Sequence, residues 1–236
     1  MHHILMLSSS RMGQEAYLEH ATTMIYTHLA NIQTAEKPVV FVPYAGVTMT
    51  YDDYTEKVKA ALTDIHIKGI HEYDDAKTAI QHAGSIMIGG GNTFRLLDQL
   101  YQHNLVGLIQ QRVAQGLAYI GWSAGSNICG ATIRTTNDMP IIEPSSFDSL
   151  GFVPCQINPH YSEYQPPNHN GETRDQRLSE FTTLNPETPV LAIREGTALL
   201  KQGNNLSLQG KLGGYAFIGN QKRPIHTGES LNQYIT

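Results

Sequence analysis

Short apolar runs recur along the first two thirds of the chain, and segments with helical periodicity lie between them. Such runs are typical of strands that are buried on both faces, as the strands of a parallel sheet are. The alternation therefore predicts an α/β fold: a mostly parallel sheet with helices on both faces. The predicted strands are residues 4–7, 38–43, 66–71, 85–88, 117–120 and 152–157. The predicted helices are residues 15–32, 51–65, 76–82 and 93–115.

The last third of the chain has a different pattern. Short, turn-bounded apolar segments follow a predicted strand at 190–193, and they predict a small antiparallel edge. Residues 162–176 are polar and rich in Pro, Asn and Gly. Long loops inside compact domains are usually functional. Nothing after this loop resembles an independent domain, so residues 1–236 are expected to form a single domain. The short segments are 197–201, 205–209 and 214–218.

Composition and charge narrow the possible partners. Of the 236 residues, 40% are hydrophobic and 16% are charged, which is an ordinary globular composition. The net charge is −5 and Lys and Arg do not cluster, so nucleic acid is not expected as a partner. No apolar run approaches the roughly 18 residues of a membrane span, and the apolar run near the N-terminus is too short for a signal peptide. Cys129 and Cys155 are interpreted as small buried side chains, which makes the cytoplasm the expected compartment.

Residues 121–125 read Gly-Trp-Ser-Ala-Gly and directly follow the predicted strand at 117–120. A strand that turns sharply into a helix needs small residues on both sides of the turn. The residue at the apex is then exposed beside the N–H groups of the new helix. Ser123 occupies that apex and is a candidate nucleophile. The alternative is a glycine-rich turn in which the serine is incidental, and the strand context favours the nucleophile.

A serine nucleophile needs a base to take its proton, and the base needs an acid to hold it. His160 follows a predicted strand and is the preferred base, with His169 in the polar loop as its rival. Two acids are candidates for the third position. Asp138 lies between the serine and the histidine in sequence, whereas Glu195 follows the predicted strand at 190–193. The residues alone leave both acids open.

The oxyanion that forms when serine attacks a carbonyl needs N–H donors. The N–H of Ala124, directly after the nucleophile, is one candidate. Gly90 or Gly91 can supply the second, since a residue without Cβ lets the backbone approach a substrate closely. Asn92 ends the same glycine run and is a candidate substrate contact. The run matches neither glycine-rich nucleotide-binding pattern, so a phosphate loop is the less favoured interpretation.

Six segments carry a family resemblance. They read Phe-Val-Pro-Tyr-Ala-Gly-Val-Thr at 41–48, Gly-Gly-Gly-Asn-Thr-Phe at 89–94, Gly-Trp-Ser-Ala-Gly at 121–125, Ile-Arg-Thr-Thr-Asn-Asp-Met-Pro at 133–140, Gln-Ile-Asn-Pro-His-Tyr at 156–161 and Gly-Glu-Thr-Arg at 171–174. Together and in this order they resemble the peptidase E family of α-aspartyl dipeptidases. The resemblance implies a fold related to class I glutamine amidotransferases, with serine in place of their cysteine, and cleavage of dipeptides that begin with L-aspartate. It also implies that Ser123 is the nucleophile and His160 the base, and it matches both Asp138 and Glu195 to acids proposed for the third position.

Specificity for aspartate needs a cation for the side-chain carboxylate, and arginine suits this because its planar guanidinium binds a carboxylate at two points. Arg174 is the candidate, and Glu172 is the candidate for the free amino group of the substrate. The alternative for Arg174 is a loop arginine paired with Glu172 or Asp175. The expected partner is a small dipeptide, acted on by a monomer or homodimer without a metal or cofactor.

Three other functions are open at this point. An α/β-hydrolase esterase places its histidine after the acid and near the C-terminus, which does not match His160. A non-catalytic module that binds acidic peptides would keep the pocket without turnover. A hydrolase of β-aspartyl polymers such as cyanophycin would need a wider groove than a dipeptide pocket.

Overall fold

The computed structural model describes residues 3–30, 37–168 and 170–235. It confirms the α/β fold class, with a larger and a smaller sheet. The strands are β1 (His3–Leu7), β2 (Val39–Val42), β3 (Ile67–Gly69), β4 (Ser85–Ile88), β5 (Ala118–Trp122), β6 (Gln156–Asn158), β7 (Val190–Ala192), β8 (Thr197–Gln202), β9 (Asn205–Gly210), β10 (Gly214–Ile218) and β11 (Gln221–Ile225). The helices are α1 (Thr22–Ala30), α2 (Tyr51–Ala61), α3 (Ala76–His82), α4 (Thr93–Gln102), α5 (Val106–Ala114), α6 (Ala124–Asn127) and α7 (Arg174–Leu184).

The larger sheet has the strand order β3-β2-β4-β5-β1-β8-β9. Its first five strands are parallel, whereas β8 and β9 are antiparallel and form one edge, as the sequence pattern predicts. The third segment predicted for that edge, 214–218, is β10 and lies in the smaller sheet. The carboxyl ends of the central strands lie level, with Ile88 opposite Gly121 and Leu7 opposite Trp122. Loops that leave these ends therefore meet at one place, which is where ligands bind in open α/β sheets.

Side chains of the parallel strands alternate between two buried faces. On one face Leu7 and Phe41 pack in a cluster with residues of α1 and α2. On the other face Met6 and Val42 pack with residues of α3, α4 and α5. Helices thus cover both faces of the sheet, as predicted, and the loops at the strand ends rest on a fully enclosed core.

The smaller sheet has the strand order β11-β10-β7-β6, with β6 and β7 parallel and the others antiparallel. The sequence pattern predicts β6 and β7 as strands but does not separate them from the larger sheet, because an apolar run reports burial and not the pairing partner. The pattern does not predict β11 at all. Most of its residues are exposed and one is Pro224, as in an edge strand.

Four predicted segments differ from the structure in their helices. The helix expected over 51–65 ends at Ala61. The helix expected over 93–115 is broken between α4 and α5, where Asn104 takes a φ of 54°. The helix expected over 15–32 begins only at Thr22, and residues 31–32 lie outside the described part of the chain. Helix α7 begins within the predicted polar loop. The Thr173 hydroxyl accepts from the Gln176 N–H, and the Gln176 side chain accepts from the Thr173 N–H. This capping box starts the helix inside a segment whose composition alone predicts a loop.

The two cysteines, Cys129 and Cys155, are free and buried. Burial raises the pKa of the Cys155 thiol to about 12, so the thiol stays protonated and packs as a small hydrophobic group. Within the described ranges, every helix is too short or too polar to cross a lipid bilayer.

Candidate active site

The chain passes from β5 into α6 through a sharp turn at Ser123. Ser123 has φ 54° and ψ −113°, a costly conformation for a residue with a side chain, and it occupies the apex of the turn. Only small residues fit around it. A Cβ at Gly121 would overlap the carbonyl oxygen of Gly125, and a Cβ at Gly125 would overlap that of Ile88. The Gly-x-Ser-x-Gly pattern is therefore a packing requirement of this turn.

A continuous chain of hydrogen bonds links Ser123, His160 and Glu195. The distance from Ser123 Oγ to His160 Nε2 is 2.8 Å, and that from His160 Nδ1 to Glu195 Oε1 is also 2.8 Å. In the catalytic arrangement Nδ1 donates its N–H to the Glu195 carboxylate, and Nε2 accepts from the serine hydroxyl. In this arrangement the histidine is set to take the proton of the serine.

Backbone contacts hold the segment that carries His160. This residue has a φ of 55°, and its N–H donates to Ser8 Oγ at 2.8 Å. The Ser8 hydroxyl in turn donates to the carbonyl of Ile193 at 2.8 Å, two positions before Glu195. Ser8 is buried at the end of β1, so one serine ties the histidine segment to the segment that leads to the carboxylate.

Asp138, the other candidate acid, lies at the start of α4. Its Oδ2 atom accepts from the Thr93 N–H at 2.7 Å and from the Thr136 hydroxyl at 3.2 Å. A carboxylate at this place is stabilised by the helix dipole. The structure thus brings Glu195, and not Asp138, to the histidine ring. His169, the rival base, lies outside the described residues.

The glycine run at 89–91 packs against Ser123. A Cβ at Gly90 would lie 2.9 Å from the Ser123 Cβ, so the glycine run passes directly against the serine. The Tyr54 hydroxyl donates to the Gly90 carbonyl at 2.9 Å. Because the peptide unit is planar and trans, this contact directs the Gly91 N–H the opposite way. Within the described residues, the N–H groups of Gly91 and Ala124 have no protein acceptor, which leaves both for a substrate oxygen.

A cavity of about 380 Å³ adjoins the serine and the histidine. Three of its lining side chains, Tyr17, Tyr54 and Lys57, are not among the site residues that the sequence predicts. They come from α2 and from the segment before α1, which carry no recognisable motif, so only the folded chain brings them to the site. The complete lining is Ser10, Tyr17, Ala45, Gly46, Val47, Thr48, Met49, Tyr54, Lys57, Gly90, Gly91, Asn92, Ser123 and His160.

Asn92 lines this cavity, but its side chain is already engaged. Its Oδ1 atom accepts from the Arg95 N–H at 3.0 Å and caps α4. Its Nδ2 atom donates to the Met139 carbonyl at 2.8 Å. The second bond joins the glycine run to the segment that carries Asp138, so both side-chain contacts of Asn92 are structural.

Arg174 and Glu172 lie outside the cavity lining. Arg174 is the first residue of α7, and its guanidinium is 3.5 Å from Oδ1 of the buried Asn158, two positions before His160. Burial, followed by the neighbouring Arg177, lowers the pKa of the Arg174 guanidinium. Glu172 is exposed, with Oε2 at 3.6 Å from Arg177 Nε.

Fold and site together define a class. An α/β protein presents a serine, a histidine and a carboxylate in one hydrogen-bonded chain beside backbone N–H donors, as hydrolases with a serine nucleophile do. The sequence model of Peptidase family S51 matches residues 4–209, which is most of the chain. The chain belongs to this family and is a peptidase.

Individual proteins agree with this assignment. Peptidase E of Shewanella denitrificans (strain OS217) is 53% identical over 234 residues, which cover 98% of each chain. Peptidase E of Shewanella sp. (strain W3-18-1) is 54% identical over 234 residues, again 98% of each chain. A crystal structure of a peptidase from an acI-B1 Actinobacterium superposes with a TM-score of 0.69, over 98% of this chain and 96% of that one. At 18% identity, that structure supports the fold alone.

Proposed function

We propose that this peptidase is a serine-type dipeptidase that hydrolyses dipeptides with an N-terminal L-aspartate. The observation that carries the proposal is the hydrogen-bonded chain from Ser123 through His160 to Glu195, with 2.8 Å at each contact. The preference for aspartate is supported by the six motifs that resemble the α-aspartyl dipeptidases and by the environment of Arg174.

Acylation begins when His160 Nε2 takes the hydroxyl proton of Ser123 and the serine oxygen attacks the aspartyl carbonyl carbon. The resulting oxyanion receives hydrogen bonds from the N–H groups of Gly91 and Ala124. Glu195 stabilises the imidazolium through its hydrogen bond to Nδ1. The histidine then donates its proton to the leaving nitrogen, the C–N bond breaks, and the second residue departs with a free amino group.

Deacylation reverses the roles of the nucleophile and the leaving group. The aspartyl group is now an ester of Ser123, and water takes the place of the departed amine beside His160. The histidine takes a proton from water as the water oxygen attacks the ester carbonyl, and it returns a proton to the serine oxygen as the ester bond breaks. The products are free aspartate and the starting enzyme.

Arg174 is the proposed partner of the aspartate side chain. Its guanidinium is partly buried, and no carboxylate in the described parts of the chain forms an ion pair with it. A partly buried cation without a bound counter-ion favours an anionic ligand. Glu172 is the proposed partner of the substrate amino group, and it would exchange its exposed contact with Arg177 for that amine.

The test of the proposed specificity is an R174M variant assayed on Asp-Leu, Asn-Leu and Ala-Leu. We expect kcat/KM for Asp-Leu to fall roughly 30-fold or more, because the side-chain carboxylate of the substrate loses the guanidinium that pairs with it. The two neutral substrates should lose far less. R177M is the matched control, since it removes an exposed arginine of the same helix and should keep the preference for aspartate. Equal losses on all three dipeptides would contradict the role of Arg174.

The organisation and location of the protein are proposals as well. We infer a single peptidase domain over residues 1–236, since the candidate site draws on segments from Ser8 to Glu195. We infer a cytoplasmic location, since both cysteines are free thiols and reducing compartments favour that state.

The alternative function is a non-catalytic binding module. Saturable binding of aspartyl peptides without cleavage would support that module instead of the peptidase.

A further inference from the structure

The lining of the cavity beside the nucleophile contains a cationic side chain and no anionic one. Among its lining residues, all of which lie within the described ranges, Lys57 is the only lysine or arginine, and no aspartate or glutamate is present. A cavity of about 380 Å³ falls within the range of about 300–1,000 Å³ that is usual for small-ligand sites. Its charge therefore favours an anionic group of a small ligand.

The lysine ammonium lies over one aromatic ring, that of Tyr17. Lys57 Nζ lies 4.5 Å from the centroid of the Tyr17 ring. This cation–π contact orders the lysine side chain without neutralising its charge. The Tyr17 hydroxyl is 3.3 Å from that of Tyr54, which in turn binds the Gly90 carbonyl. Burial raises the pKa of the Tyr17 phenol well above its usual range, so the ring is uncharged at neutral pH. A chain of contacts thus runs from the Lys57 ammonium through Tyr17 and Tyr54 to the Gly90 carbonyl, next to the proposed oxyanion donor Gly91.

Lys57 forms no ion pair with a carboxylate in the described parts of the chain. Lys59, two residues further along α2, shows the contrast: its Nζ pairs with Glu56 at 2.9 Å and with Glu72 at 3.4 Å. No equivalent ion pair is formed by Lys57, whose side chain is half-buried at the cavity. An ammonium in this position is an available anchor for a carboxylate.

We propose that Lys57 binds the C-terminal carboxylate of the leaving residue and thereby limits cleavage to dipeptides. The inference rests on the proposed function, in which the leaving residue departs beside His160, and His160 lines the same cavity as Lys57. In a dipeptide the group that follows the second Cα is a carboxylate. In a longer peptide the same position holds a neutral amide, which cannot pair with the ammonium. Arg174 would then hold the side-chain carboxylate of aspartate, and Lys57 the terminal one.

The test compares Asp-Leu with Asp-Leu-amide, which differ only in the terminal charge, in the wild type and in K57M. A charge-assisted hydrogen bond predicts that the wild type prefers the free acid by roughly ten- to hundredfold in kcat/KM. K57M should reduce that ratio to near one, and K57R should retain part of it. Aspartyl p-nitroanilide, which has no carboxylate at this position, reports whether the enzyme cleaves aspartyl bonds at all.

Two controls address the other cations. K59M removes the same charge from the same helix outside the cavity and should keep the wild-type ratio. The charge of Arg11 partly offsets the rise that burial causes in the pKa of the Tyr17 phenol, but Arg11 does not line the cavity. R11M should therefore also keep the ratio, and a collapse in R11M rather than K57M would overturn the assignment to Lys57.

The outcomes separate this inference from the function on which it rests. If the wild type cleaves the acid and the amide equally well, the terminal carboxylate is not recognised and the inference fails while the peptidase stands. The same holds if K57M keeps the wild-type ratio. If the wild type cleaves neither dipeptide nor the p-nitroanilide, the proposed function fails and the inference fails with it.

Discussion

Glu195 and Asp138 are both carboxylates near the carboxyl ends of the strands, and their hydrogen-bond partners give them different roles. Glu195 accepts from the His160 ring at 2.8 Å, whereas Asp138 accepts from the Thr93 N–H at 2.7 Å. The first contact orients a base beside the nucleophile. The second contact satisfies a helix N-terminus that would otherwise expose an unpaired donor. Within the proposed mechanism, the third position therefore belongs to Glu195.

An exchange of each carboxylate for its amide tests this assignment. In E195Q we expect kcat to fall roughly 10²- to 10⁴-fold, because an amide can hold the wrong tautomer and does not stabilise the imidazolium. Thermal unfolding should change little. In D138N the helix loses a favourable charge, so the free energy of unfolding should fall by about 0.3–1 kcal/mol. Steady-state kinetics and calorimetry on both variants provide the measurement, and a larger kcat loss in D138N than in E195Q would reverse the assignment.

The sequence predicts Ser123 and His160 as a pair because each follows an apolar run, and strand ends lie together in a sheet. It does not choose between the two acids, because the path of the loop that carries Asp138 is set by tertiary contacts such as that between Thr93 and Asp138. The sequence does not predict Lys57 as a site residue for the same reason. Nothing in its local sequence indicates that α2 places it at the cavity.

At the scale of elements, the sharp turn between β5 and α6 holds Ser123 in the conformation that a nucleophile needs. Its residues are packed against the neighbouring strand β4, since a Cβ at Gly125 would overlap the Ile88 carbonyl oxygen. That oxygen belongs to the backbone inside the sheet, so its displacement would disturb the packing of the sheet and cost free energy. The conformation of Ser123 is therefore maintained by the elements on both sides of it.

Replacing Gly125 with alanine tests this packing. We expect G125A to lower the free energy of unfolding by about 3 kcal/mol, the upper part of the range for overpacking, and to abolish most activity. G107A is the matched control. Gly107 lies in α5, and a Cβ added there would meet open space, so alanine should stabilise the helix by about 0.5–1 kcal/mol. Denaturant unfolding of both variants measures the difference, and equal effects would contradict the packing requirement at Gly125.

The sequence pattern predicts elements that have a local signal, but it does not predict which strands pair with each other. The parallel strands and α2 to α4 have clear periodicity, so their presence follows from the sequence. The assignment of β6 and β7 to a second sheet depends on pairing with each other and with β10. No local pattern contains that information, and the same holds for the exposed strand β11.

At the scale of the whole molecule, the candidate site lies where the two sheets meet. The larger sheet supplies Ser123 after β5, and the smaller sheet supplies His160 after β6 and Glu195 after β7. Ser8, at the end of β1, joins the two: its oxygen accepts from the His160 N–H and its hydroxyl donates to the Ile193 carbonyl, both at 2.8 Å. The relative position of nucleophile and base depends on this junction.

Removing the Ser8 hydroxyl should therefore affect both stability and catalysis. In S8A the buried Ile193 carbonyl and the partly buried His160 N–H lose their partner, and we expect the free energy of unfolding to fall by about 1–3 kcal/mol. A small displacement of His160 should lower kcat by about ten- to hundredfold. S149A is the control, since the buried Ser149 hydroxyl donates to the Gly130 carbonyl at 2.6 Å away from the catalytic chain. It should lose stability but not kcat, and a similar kcat loss in both variants would show that Ser8 acts only through stability.

The role of Ser123 as nucleophile is tested by the hydrolysis of L-aspartyl p-nitroanilide by the wild type and by S123A, side by side and with a chelator present. We expect the wild type to release p-nitroaniline at a rate that the chelator does not affect, and S123A to be inactive although folded. Equal release by both proteins, or no release by a folded wild type, would contradict the assignment of Ser123 as the nucleophile of an aspartyl peptidase.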